Sequence, residues 1–146
     1  MGLDMYLSAN GAELGYWRKA NAIHAWFVKN VQNGIDECQE ANVTREQLTE
    51  LKSLCERVIA GTKLVPGNVL QSITMSAAGQ IPNYIPGMIV EDPTAAIELL
   101  PASSGFFFGN TMYDEGYVRK LHDTVDFCTR ALDMPDSTLF TYQSSW

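Results

Sequence analysis

Apolar and polar positions alternate at the start of the chain. In "LDMYLSANGAELGYW" two β-compatible runs flank Asn10-Gly11, which supplies the positive φ angles of a type I′ turn, so the pattern predicts a β-hairpin. The period then changes. Ala20, Ile23, Phe27 and Val31 recur at helical spacing and predict a helix from Arg18 or Lys19 to a left-handed cap at Asn33-Gly34. On that wheel Trp17, Asn21, His24 and Val28 run along one flank of the buried stripe. Lys19, Trp26 and Asn30 run along the other, while Arg18 and Lys29 face away.

"NVTREQLTELKSLCERVIAG" predicts a second helix, opened by a Thr44/Gln47 capping box and closed by Gly61. Its buried stripe is Leu48, Leu51, Cys55 and Val58. Regular patterning lapses over about 62–90, where three Pro and three Gly interrupt a nearly uncharged run. That segment reads as an irregular excursion, an extra hairpin, a lid or an ornament on the body. "DPTAAIELLP" predicts a short helix capped by Asp92 with Pro93 in its first position and Pro101 ending it. "SGFFFG" predicts a buried strand. "TMYDEGYVRKLHDTVDFCTRALDM" predicts a long helix with Val118, Leu121, Val125, Cys128 and Leu132 inward, and "STLFTYQSSW" a final strand. The expected fold is α+β: one domain over 1–146, with three to four helices and a small, mainly antiparallel sheet. That sheet would hold the N-terminal hairpin, the SGFFFG strand and the C-terminal strand.

Charge narrows the function. A net charge of −7 with ten Lys and Arg argues against binding extended nucleic acid, though a pocket for one small anion needs only two or three donors. Cys38, Cys55 and Cys128 are odd in number and form no CxxC pair, which favours a reduced, cytoplasmic setting. The opening "MGLDMYLSANG" lacks the n- and h-regions of a secretion signal. Tyr6 stands where myristoylation at Gly2 would want Ser or Thr, and no apolar run is long enough to span a membrane.

Candidate chemistry is sparse. His24 is either a satisfied histidine at the core boundary or, with Trp17 and Asn21, part of a patch suited to a planar hydrogen-bonding ligand. Arg18 or Lys19 could then meet a phosphate. His122 and Asp126 stand i, i+4 and suit a surface ion pair; with no third ligand they define no metal site. Tyr113, Asp114 and Glu115 open the last helix, where acids complement its dipole and could also accept hydrogen bonds from ribose hydroxyls. "SSGFFFGNT" has neither a GxGxxG pattern nor a P-loop lysine, and no nucleophile with an adjacent base, zinc signature or cofactor motif is found. Trp146, closing "YQSSW", is an unusual terminus that suggests a tied-down tail, a site or a homo-oligomer contact.

The blocks "GLDMYL", "GYWRKANAIHAWFV", "LLPASSGFFFG" with "YDE", and "YQSSW" resemble a family of small phage and prophage proteins over about two thirds of the chain. The segment 62–90 departs from that family's shorter form, in which the second helix runs quickly into "LLP". Phage context implies action on a bacterial host by binding, one class being sponges that sequester nucleotide signals of immune systems. The leading expectation is therefore a non-enzymatic cytoplasmic sponge for a nucleotide-like small molecule, gathered by Trp17, Arg18, Asn21, His24, Tyr113 and Trp146, with no cofactor. The alternatives are a protein-binding inhibitor of a host factor and a small nucleotide-processing enzyme using His24.

Overall fold

The computed structural model describes residues 2–105 and 108–146. The alternating start folds as expected into β1 (Asp4–Ala9) and β2 (Ala12–Arg18), paired antiparallel around Asn10 and Gly11, both with positive φ. β2 carries the alternation through Arg18, so Gly15 and Trp17 face inward while Tyr16 and Arg18 face out. Lys19, at φ 55°, then breaks the strand direction, and α1 (Asn21–Asn30) begins two residues later. The expected helix start at Arg18 or Lys19 is thus corrected: the strand outlasts the helical pattern. Ala20, Ile23 and Phe27 are buried as their spacing requires; α1 stops at Asn30 with Val31 as its cap, earlier than the expected Asn33-Gly34, which take positive φ in the turn beyond.

A short β3 (Ala41–Val43), too brief to leave a periodic signal, precedes α2 (Arg45–Ala60). The Thr44–Gln47 capping box closes reciprocally, and Leu48, Leu51, Cys55 and Val58 are all fully buried. The segment 62–90 is a regular ribbon, β4 (Leu64–Ser76) and β5 (Gly79–Val90), joined by a two-residue turn at Ala77 and Ala78. α3 (Thr94–Leu99) and α4 (Glu115–Leu132) follow, and β6 (Phe140–Ser145) completes the fold.

The main sheet has the order β2-β1-β6-β3 and is antiparallel throughout; the β4–β5 ribbon forms a second, separate sheet. This is an α+β fold with a small antiparallel sheet. The flanks of the expected SGFFFG strand, Ser104, Gly105, Phe108 and Gly109, belong to no strand; Phe106 and Phe107 lie outside the described residues.

The core fills the space between the main sheet and the helices. Phe27 of α1 stacks on Tyr142 of β6, rings 3.8 Å apart and 4° from parallel. α2 packs on α4, and burial pushes the thiols of Cys55 and Cys128 up, that of Cys128 to about 12, so both behave as inert packing. Among the described residues no helix is long and apolar enough to cross a membrane.

Candidate functional site

The six residues singled out from sequence separate into five places. Trp17 is 3% exposed and donates its indole N–H to Thr124 Oγ1 at 2.8 Å. Its ring meets Phe27 and Phe127 edge-on. Placing it beside His24 assumed helical geometry, but it is a strand residue aimed at α4, so no ligand can stack on it. Arg18 alternates to the opposite face of β2 and pairs with Asp4 at 2.9 Å. Tyr113 lies against Tyr117 and accepts a hydrogen bond from the Ala102 amide, which fastens the loop after α3.

His24 and Trp146 do converge, through a residue the sequence did not announce. Asp36, in the turn after α1, accepts from His24 Nε2 and from Trp146 Nε1, each at 3.0 Å. Because Nε2 donates, Nδ1 is the acceptor and receives the Tyr142 hydroxyl at 2.6 Å. Burial lowers the pKa of His24 against the raising effect of Asp36, and burial raises that of Tyr142, so both groups are neutral. The knot is complete within the protein. Both imidazole nitrogens are spent, His24 is 1% exposed, and no ring nitrogen remains to act as acid or base on a substrate.

Asn21 belongs to another place. Its side-chain N–H groups donate to the carbonyls of Phe108 and Asn110, and its Oδ1 accepts from the Ser103 amide, so it ties the loop after α3 to the start of α1. That tie forms one wall of a basin of about 220 Å³. Ala20 to Ile23 line the basin, and no side chain caps α1, so the first amides of the helix have no intrahelical partner. Lys19, Arg119 and Lys120 line it as well.

Local backbone geometry assembles these cations. The positive φ of Lys19 turns its side chain to the basin just before the helix starts. Gly109, at φ 89°, lets the loop approach closely: a Cβ there would stand 3.2 Å from the Lys19 Cβ. Lys120 lies on the first turns of α4 and donates to the Lys19 carbonyl at 3.2 Å. Three of the ten basic residues of an acidic chain therefore meet here. Among the described residues none of the three has a carboxylate within 4 Å.

Burial lowers the pKa of Lys120; Asp114 opposes that shift while Arg119 and Lys19 add to it. Asp114, the acid of the basin, is held by accepting the Tyr117 amide at 3.0 Å. Such a surface favours an anion, by charge and by helix-terminal amides together.

Sequence reasoning named Lys19 and Asn21 but missed Arg119, Lys120 and Asn110. Adjacent basic residues one turn into a helix were the available signal, and nothing in the sequence joined them to Lys19 a hundred residues away. The ion pair expected of His122 and Asp126 is not among those of the described residues: Asp126 instead pairs with Arg130 at 3.1 Å.

Compared with known proteins, the chain matches no family model, no curated protein and no solved structure.

Proposed function

We propose that this chain is a non-enzymatic binding protein of phage origin that sequesters a nucleotide-like small molecule in the cytoplasm of a bacterial host. One observation carries the reading: Lys19, Arg119 and Lys120, with no carboxylate within 4 Å among the described residues, surround the uncapped start of α1. A phosphate there meets charge and backbone donors at once. It also adds to the counter-charge that Asp114 alone gives half-buried Lys120.

The remaining lining fits the rest of such a ligand. Asp114 is an acceptor for sugar hydroxyls, and Met112 with Tyr117 offers an apolar side to a base. Pockets that enclose whole drug-sized ligands measure about 300–1,000 Å³. The basin is smaller, at about 220 Å³, so it takes the phosphate and sugar and leaves the far end of the ligand at its mouth. Stacking on Trp17 plays no part.

The test is mass spectrometry of small molecules released on denaturing protein purified from bacteria. An intact nucleotide, retained by the wild-type chain and lost from Lys19→Met and Lys120→Met, is the expected result. Ligand-free protein, equal retention by the variants, or a released product altered with turnover would overturn the reading.

A further inference from the structure

The β4–β5 ribbon carries no Asp, Glu, Lys or Arg from Leu64 to Val90, in a chain with a net charge of −7. Among the described residues it also gathers exposed apolar side chains, with Ile73 50%, Met75 71% and Tyr84 55% exposed. Isolated two-stranded ribbons gain little stability of their own. An uncharged apolar ribbon is therefore built to be covered.

Its two edges are not equivalent. Val90 donates its amide to the Tyr113 carbonyl, away from β4, whereas Glu91 donates to Lys63 on the β4 side. Even-numbered positions of β5 thus aim their amides outward. Two of these are Pro82 and Pro86, which have no amide hydrogen to offer. The outer edge of β5 is closed by these prolines and, at its base, by the bridge between Ile89 and Asp114.

On β4 the residues opposite those positions are Leu64, Pro66, Asn68, Leu70, Ile73 and Met75; the single proline, Pro66, lies near the base, and none follows it toward the tip. Their carbonyls, and the amides of all but Pro66, face outward. The irregularity between Leu70 and Ser72 bends this edge and leaves Ser72 to Ser76 as its straight, open run.

We propose that this open run of β4 pairs antiparallel with the same run of a second copy, about a two-fold axis at Thr74. That register sets Ile73 opposite Met75 of the second copy. Both aim their N–H and C=O groups at each other, so the two symmetry-related pairs exchange four hydrogen bonds. Thr74 then faces its own counterpart as a non-hydrogen-bonded pair, with Cα atoms about 4.5 Å apart.

Two features select a second copy as the occupant. Acidic chains repel one another, and the uncharged ribbon is where two can meet without like charges in contact. Pairing through β4 on both sides also leaves only proline-closed edges outside, so assembly stops at two rather than growing into a filament. The cation basin plays no part in this contact, so either proposal can fail without the other.

Sedimentation of the full chain over a concentration series tests the pairing. The expected result is a monomer–dimer equilibrium that Ile73→Pro weakens by about tenfold or more, since two outward donors per dimer disappear while the ribbon keeps its own ladder. In a Cys38→Ser background, Thr74→Cys should give a disulfide-linked dimer on mild oxidation, and Gln80→Cys should not. A chain that stays monomeric at millimolar concentration overturns the proposal. So does a dimer that tolerates Ile73→Pro and fails to cross-link through Thr74→Cys, or a monomer that instead holds a host polypeptide along β4.

Discussion

The Lys120 ammonium donates to the Lys19 carbonyl at 3.2 Å, which fixes two cations on one side of the basin. Desolvation lowers the pKa of Lys120, and Arg119 and Lys19 lower it further against the opposing effect of Asp114. A bound anion reverses the balance. Titration of Lys120 by carbon NMR should give a value below the ordinary lysine value without ligand and an upward move on adding a nucleoside monophosphate. No movement would remove the anion from its neighbourhood.

The His24–Asp36–Tyr142 knot makes stability depend on pH. Burial lowers the folded-state pKa of His24, so on acidification the unfolded chain takes up this proton first. Stability should be full above the ordinary histidine value of about 6.5 and fall as pH drops from there to the lowered folded value. Each unit of lowering is worth about 1.4 kcal/mol. Urea unfolding at pH 7.5 and 5 measures the slope, and His24→Gln should flatten it.

Trp17 and Trp146 should differ sharply. Trp17→Ala empties a core site and leaves Thr124 without its indole donor, at about 3–5 kcal/mol. Trp146 is 44% exposed and holds Asp36 at the rim, so Trp146→Ala should cost about 1 kcal/mol or less. Denaturant midpoints check both. Equal costs would contradict the placement of the two indoles.

Gly15 leaves room for the Phe127 ring, and a Cβ there would stand 2.7 Å from it. Gly15→Ala should therefore destabilise by about 1–3 kcal/mol through overpacking. The loss should shrink in a Phe127→Ala background, where the ring is gone. A double-mutant cycle in urea measures that coupling.

Much of the fold was legible because local chemistry and tertiary need agree. Asn10-Gly11 fits its turn, Thr44 and Gln47 close their box, and the stripe of α2 is buried in full. Legibility failed where the two diverge. The stretch from Gly15 to Lys19 satisfies a helical wheel and a strand alternation alike, and pairing of Met5 with Trp17 and Asp4 with Arg18 decides for the strand. Two residues of the expected site, Trp17 and Arg18, were lost with that choice. Ser72 to Ser76 alternates polar and apolar residues, but the prolines and glycines around it break the pattern, so the ribbon's regularity comes from cross-strand pairing that no single run displays. Asp36 and Lys120 reach their partners across 12 and 101 residues of sequence, where periodicity is silent.

The most direct measurement is calorimetric titration of nucleoside monophosphates and inorganic phosphate into the wild-type chain and into a Lys19→Met/Lys120→Met double variant. Anion capture in the basin predicts binding to the wild type that weakens as salt rises, with affinity lower by about tenfold or more in the double variant. Absence of binding to the ligand-free wild type, or equal affinity in the two proteins, would contradict it.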